Sequence, residues 1–116
     1  MPTTVVGAYS PEGPYGGFIG YLLAKGGEIK VLFGKSTTWT VPTGKKWVVL
    51  GVYTQANTGY AAFVKDPSNT GVPIAGKGSD NVYWKDGLMI LPAGYKISAP
   101  SYNTAVFAIQ VDDGVI

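Results

Sequence analysis

Glycine and proline interrupt this chain so often that no long regular element fits between them. The 116 residues include 17 Gly and 8 Pro, gathered in clusters such as Gly26-Gly27, Pro42-Thr43-Gly44 and Pro92-Ala93-Gly94. Because these residues favour turns, each cluster marks a place where the chain changes direction. Short runs of β-branched and aromatic residues lie between the clusters. This pattern predicts an all-β sandwich or barrel.

The runs between the turns predict strands throughout and no amphipathic helix of useful length. Side chains alternate between the two faces of a strand, and residues 45–54 are apolar on both faces, so this strand is expected to be central and covered on both sides. Glycine suits a two-residue turn with positive φ, so Gly26-Gly27 predicts a hairpin between the second and third strands. The predicted strands are residues 3–8, 17–24, 28–33, 37–41, 45–54, 60–65, 72–75, 81–84, 87–91, 95–98 and 104–111.

For two of these strands, the sequence also predicts which side chains share a face. In residues 45–54, one face holds Trp47, Val49, Gly51 and Tyr53, and the other holds Val48, Leu50 and Val52. In residues 104–111, the face of Ala105, Phe107, Ile109 and Val111 is more uniformly apolar than that of Val106, Ala108 and Gln110. The first of these two faces is therefore the expected core face of the last strand.

The chain divides into an N-terminal arm, residues 1–16, and one sandwich domain, residues 17–116. Its length suits a single domain, and residues 10–17, Ser-Pro-Glu-Gly-Pro-Tyr-Gly-Gly, cannot hold a regular strand. The arm either reaches across to a neighbouring subunit or closes over the edge of its own sheet. The sequence leaves both open.

Few charged residues are available to coat this domain. Charged residues are 14% of the chain, against about 25% in typical soluble domains. Part of the surface is therefore expected to be covered by another chain, the alternative being a monomer with an uncharged polar surface. The net charge of +2 arises from scattered lysines without arginine, which predicts no nucleic-acid partner. Without a signal sequence or a long apolar run, no membrane partner and synthesis in the cytosol are expected.

The residue types exclude most catalytic chemistry. The chain has no His and no Cys, so Ser-His-Asp and Cys-His arrangements and the common zinc sites cannot be built. Most of its carboxylates lie in predicted turns, where Asp bonds to the local backbone. We therefore expect no enzyme, no cofactor and no metal. A calcium site built on Asp80, Asn81 and Asp86, or on Asp112 and Asp113, is the weaker alternative.

Two segments share one design. In TVPTGKKWVVLGVY, which begins at Thr40, and ILPAGYKIS, which begins at Ile90, a strand runs into Pro-x-Gly and a second strand leaves at once. Proline is predicted at the second turn position. This pair resembles the small jelly-roll domains of tailed bacteriophage particles, found in capsid decoration (cement) proteins and in fibre or tail-tip proteins. The resemblance covers residues 37–111.

The resemblance implies a fold and a role. The fold is a single jelly-roll-like antiparallel β-sandwich with an N-terminal arm. The role is that of a non-enzymatic homotrimer that binds the major capsid protein on the surface of the virion and stabilises the head.

Aromatic residues in predicted loops are the candidate contact residues. An apolar ring with a wet hydroxyl suits an interface, which favours Tyr9, Tyr15, Tyr60 and Tyr102, in or near predicted loops or edges. Tyr83 and Trp84 stand among Asp and Asn residues, a combination that suits stacking against a sugar, so a carbohydrate-binding domain is the alternative function. Either ring can instead fill the core or a subunit seam. A small-molecule-binding barrel is a third possibility, which an interior filled by side chains would exclude.

Overall fold

The computed structural model describes residues 16–55, 59–77 and 88–116. The predicted strands over 3–8 and 81–84, and residues 1–15 of the predicted arm, lie outside these ranges. The described elements are α1 (Gly16–Ala24), β1 (Glu28–Gly34), β2 (Thr37–Thr40), β3 (Lys45–Thr54), β4 (Gly59–Lys65), β5 (Gly71–Lys77), β6 (Met89–Leu91), β7 (Lys96–Ala99) and β8 (Thr104–Asp112).

The strands form two antiparallel four-stranded sheets packed as a sandwich, which confirms the predicted fold class. Sheet 1 has the order β1-β8-β3-β6, and sheet 2 has the order β2-β7-β4-β5. The first strand thus pairs with the last, the second with the seventh, the third with the sixth and the fourth with the fifth. This nested pairing, divided between two sheets, is the jelly-roll arrangement.

Both Pro-x-Gly segments carry the chain from one sheet to the other. Residues 41–44 join β2 to β3, and residues 92–95 join β6 to β7. The N–H of Lys45 donates to the carbonyl of Pro42 at 3.1 Å, and Gly44 has a φ of 81°. Glycine therefore occupies the third position of a type II turn, which requires positive φ. Proline is the first residue of the turn, so its predicted place at the second position is wrong.

The two corners lie side by side and are hydrogen-bonded to each other. The N–H of Val41 donates to the carbonyl of Tyr95 at 2.9 Å, and the N–H of Gly94 donates to the carbonyl of Val41 at 3.0 Å. The nested strand pairing brings them together, because β2 pairs with β7 while β3 pairs with β6. One repeated sequence design thus closes one end of the sandwich.

Residues 16–24 form a helix, so the predicted strand over 17–24 is wrong. Ile19 and Leu22, three residues apart, are both buried against sheet 1, whereas Tyr21 is exposed. Positions i and i+3 share a face in a helix and lie on opposite faces in a strand.

The predicted hairpin at Gly26-Gly27 is also wrong, because these glycines cap α1. The N–H of Gly27 donates to the carbonyl of Leu22 at 2.9 Å, and the N–H of Gly26 donates to that of Leu23 at 3.2 Å. With a φ of 87° at Gly26, these two bonds make a Schellman cap. A hairpin turn and this cap both select glycine for positive φ.

Sheet 1 has an apolar cluster on each of its faces. The main core lies between the sheets and fills the interior with side chains. A second cluster lies between α1 and the outer face of sheet 1. Buried residues of the main core are Val41, Trp47, Val49, Ala62, Ile74, Leu91, Ile97, Val106 and Ala108. Buried residues of the second cluster are Ile19, Leu22, Val48, Ile109 and Val111.

The central position of β3 is confirmed, but its predicted faces are right only as far as Leu50, which packs with Val48 in the second cluster as predicted. The pairing with β8 shifts register between Val49 and Gly51, which inserts one extra residue and reverses the alternation. Beyond this bulge, Val52 packs against the main core and Tyr53 is exposed.

The predicted core face of β8 is likewise not the one between the sheets. That position belongs to Val106 and Ala108. Ile109 and Val111 lie beneath the helix.

A line of polar side chains ties three strands of sheet 1 together. Trp47 Nε1 donates to Gln110 Oε1 at 3.0 Å, and Gln110 Nε2 donates to Glu28 Oε1 at 3.2 Å. Each pair of residues is directly opposite in its strand ladder. Because Gln110 is buried, its amide needs both partners, so the contacts favour this register of β1, β8 and β3.

Candidate interaction surface

The helix covers only one end of the outer face of sheet 1. A nine-residue helix is about 14 Å long, whereas the nine residues of β8 extend for about 30 Å. Ile109 and Val111 of β8 lie beneath α1, and Phe107 and Ala105 lie beyond it on the same face. The helix is thus too short to shield the whole face.

The uncovered end of this face is apolar and aromatic. We call it the apolar stripe, and its members are Ile29, Val31 and Phe33 of β1, Phe107 of β8 and Tyr53 of β3. The ladders place Val31 opposite Phe107, and both Phe33 and Tyr53 opposite Ala105. The Tyr53 and Phe107 rings meet edge to face, with centroids 5.6 Å apart. The exposed fractions are 67% for Ile29, 59% for Val31, 69% for Phe33 and 64% for Tyr53.

Strand alternation in β1 explains why these side chains point outward. Leu32 packs against the main core, and Glu28 and Lys30 share its face by strand parity. Ile29, Val31 and Phe33 must then lie on the opposite face. No charged side chain belongs to the stripe itself.

The apolar stripe lies at the edge of its sheet. Among the described strands, β1 pairs only with β8 and leaves its other edge without a partner strand. This edge strand contains no proline, and its ladder with β8 has no register shift, so it lacks two of the usual features that block further pairing. As far as residues 16–55, 59–77 and 88–116 show, the sheet is therefore open to contact at both this edge and the adjoining face.

Among the described strands, sheet 2 exposes fewer large apolar side chains than sheet 1 does. Tyr60 of β4 is 56% exposed, and its ring meets that of Phe63 edge to face with centroids 6.2 Å apart. Val72 of β5 is 61% exposed on the edge of this sheet. The apolar surface is therefore concentrated on sheet 1, and Val72 provides a natural comparison for Val31.

The resolved charge interactions lie in turns and at strand ends. Lys45 Nζ and Asp112 Oδ1 form an ion pair at 2.6 Å, and the hydrogen bond and charge of Asp112 raise the pKa of Lys45. The pKa of Asp66 is lowered, first by the hydrogen bond from the Ser68 hydroxyl and then by the Thr70 N–H. These groups stabilise local backbone structure and place no charge on the stripe.

The structure offers no metal site in the part of the chain that it describes. Within those residues no three His, Cys, Asp or Glu side chains are grouped to hold an ion, and Asp112 is paired with Lys45. Asp80, Asn81 and Asp86 of the calcium alternative lie outside the described residues.

Two of the predicted contact residues can be placed, and the first, Tyr60 of β4, is 56% exposed on sheet 2. Tyr102 is half-buried in the loop before β8, and its carbonyl accepts a hydrogen bond from the Thr104 hydroxyl at 3.0 Å. It is not part of the apolar stripe. Tyr9, Tyr15, Tyr83 and Trp84 lie outside the described residues.

Sequence reasoning missed the apolar stripe. The alternation of Ile29, Val31 and Phe33 with Glu28, Lys30 and Leu32 was a usable signal. Alternation alone, however, predicts that the more apolar face is buried. Only the sheet order reveals that this face turns outward at an edge.

Comparison with known protein families, with curated proteins and with solved structures finds no match to this chain. Across the described ranges, no helix has the length and apolar character needed to cross a membrane. The proposal for function therefore rests on the fold and on the exposed surface.

Proposed function

We propose that this chain is a structural protein of a virus particle, a capsid decoration protein that stabilises the phage head as a trimer of jelly rolls. The observation that carries the proposal is the apolar stripe on the outer face of sheet 1. The largest apolar patch on a soluble protein is often functional, and such patches commonly mark sites of protein contact. The chain accordingly acts by touching other subunits.

The composition supports a role that depends on contact. Charged residues are only 14% of the chain, and it contains neither His nor Cys. The first property favours surface covered by other chains, and the second removes the side chains that most often transfer protons or act as nucleophiles. A decoration protein needs only a rigid scaffold and complementary faces.

The architecture supports the same role without selecting it alone. Double-sheet jelly rolls serve as viral capsid domains, and they also occur in lectins and other proteins. The paired Pro-x-Gly corners, which carry the resemblance to phage particle domains, are hydrogen-bonded neighbours at one end of this sandwich. A trimer that bridges major capsid proteins would add contact area at each site. Because the same contact repeats at every symmetry-related site, a modest stabilisation per site adds up over the whole head.

Purified particles provide the test. The phage or prophage that encodes this chain is induced, its particles are banded on a density gradient, and the heads are analysed by peptide mass spectrometry. We expect the chain in intact heads, in copy numbers that are multiples of three. Recombinant chain should also sediment with heads that lack it. Absence from the particles, together with failure to sediment with them, would refute the proposal.

The carbohydrate-binding alternative rests on Tyr83 and Trp84, which lie outside the described residues. A glycan array with the recombinant chain separates the two functions. Glycan binding that is lost in Trp84→Ala, with no binding to heads, would replace the capsid role with a receptor-binding one.

A further inference from the structure

We infer that the apolar stripe is the surface through which copies of this chain meet. The inference rests on the proposed function only in taking the protein to be an oligomer, and it specifies the contact surface and its occupant. The occupant is a second copy of the same chain. The area, the charge and the position of the stripe support this assignment.

The exposed area of the stripe suits an interface between copies. An aromatic side chain presents about 150 to 250 Å² when fully exposed, and Ile and Val present somewhat less. At exposed fractions of 59% to 69%, the four most exposed members together present roughly 500 Å², near the upper end for a monomer surface. Two stripes brought together would bury roughly 1,000 Å² in total, which is about the minimum for a specific interface. The open edge of β1 can add to this area.

The charge distribution permits identical surfaces to approach each other. The stripe is uncharged, and the charged residues of β1, Glu28 and Lys30, lie on its other face by strand parity. Identical charged patches would repel, whereas identical apolar patches are complementary to each other. A flat group of Ile, Val and aromatic side chains can therefore pack against its own copy.

The position of the stripe allows more than two copies to meet. Because β1 is an edge strand of sheet 1, the stripe lies at the rim of the sandwich. Surfaces at the rim of a domain can meet around a common axis, as a cyclic trimer requires. The stripe is thus compatible with the proposed trimer.

Two matched valines provide the test. Val31 in the stripe and Val72 on the edge of sheet 2 are 59% and 61% exposed, so each should accept lysine without loss of the fold, as edge strands commonly do. Light scattering after gel filtration gives the mass of each protein, with circular dichroism as the check on folding. A chain of 12.2 kDa has a trimer mass of 3 × 12.2 = 36.6 kDa.

We expect an oligomer mass, 2 × 12.2 = 24.4 kDa for two copies or 36.6 kDa for three, for the wild-type protein and for Val72→Lys, and the monomer mass for Val31→Lys. A monomeric wild-type protein would overturn the inference, as would an unchanged mass for Val31→Lys. Dissociation of Val72→Lys to the same extent as Val31→Lys would also overturn it.

Cysteine crosslinking tests the inference without disrupting the interface. The chain has no cysteine, so Val31→Cys and Val72→Cys each introduce a single thiol. Under mild oxidation, Val31→Cys should form covalent dimers at least tenfold more than Val72→Cys does. Equal crosslinking would count against the stripe, even if Val31→Lys failed to fold.

The outcomes also separate this inference from the proposed function. A monomer found in phage heads would overturn the inference and leave the capsid role intact. An oligomer held by the stripe but absent from heads would overturn the capsid role and leave the inference intact.

Discussion

Alanine substitutions along residues 16–24 test whether this segment is a helix docked on sheet 1. Ile19 and Leu22 are 1% and 0% exposed, whereas Tyr21 is 46% exposed. Truncation of a buried Leu or Ile to Ala costs about 2 to 5 kcal/mol, so Ile19→Ala and Leu22→Ala should each lower the free energy of unfolding by about 3 kcal/mol. Tyr21→Ala should cost less than about 1 kcal/mol, since its contact with Lys25 is an exposed cation–π pair.

Urea unfolding followed by circular dichroism measures these differences, and thermal melts should show both buried variants lowered by roughly 10 to 20 °C. All proteins are compared at one concentration, because association makes apparent stability depend on concentration. A strand would place Ile19 and Leu22 on opposite faces. A large loss in only one of these two variants, or losses no greater than that of Tyr21→Ala, would refute the docked helix.

Three further predictions concern the corner, the polar line and the turn before β5. Gly44→Ala should destabilise the protein by about 1 to 2 kcal/mol, because no atom obstructs a Cβ there and the cost is that of the left-handed backbone alone; urea unfolding measures it. Trp47→Phe should cost about 1 to 3 kcal/mol beyond lost packing, since buried Gln110 loses its donor, and the double variant with Gln110→Leu should recover part of that loss. Folding lowers the pKa of Asp66 below its usual 3.8. The ionised carboxylate therefore stabilises the folded protein at pH values above the unfolded pKa, and this stabilisation is lost as the pH falls through the folded pKa. Between about pH 5 and pH 3, the wild-type protein should therefore lose more stability than Asp66→Asn, and parallel curves would contradict this.

Most strands were predictable because turn residues bound them on both sides. Strands β1 to β8 agree with predicted runs to within about two residues at most ends, and the Pro-x-Gly corners mark two changes of sheet. Turn chemistry is local, so a short window of sequence contains it. Which strands pair is a non-local property, and here it came only from the resemblance to jelly rolls.

Two local features were mispredicted because their signals were ambiguous. Gly26-Gly27 suits both a hairpin and a helix cap, and three glycines within residues 16–24 weaken the helical pattern. The spacing of Ile19 and Leu22, followed by glycine, was the signal for the helix. The sequence does not predict the bulge after Val49, because β3 has apolar residues on both faces. Exchanging the two faces beyond the bulge therefore leaves the apolar pattern unchanged.

The candidate surface could not be predicted from residue types. Amphipathic rings suit interfaces, so residue types favour tyrosines in loops and at edges, whereas the structure exposes Ile29, Val31 and Phe33 on a regular strand. A strand with one apolar face is expected to bury that face. Its exposure follows from two non-local facts, the edge position of β1 and the short reach of α1.

The central claim is that the apolar stripe is covered in the working protein. Hydroxyl-radical footprinting of the wild-type protein measures this directly, because it reports side-chain access residue by residue. Phe33 is 69% exposed and Tyr60, on sheet 2, is 56% exposed in a single chain, so both would label readily if the chain acted alone. We predict strong protection of Phe33, Tyr53 and Phe107 in the oligomer while Tyr60 continues to be labelled. Labelling of Phe33 at the rate of a fully accessible phenylalanine would contradict the account.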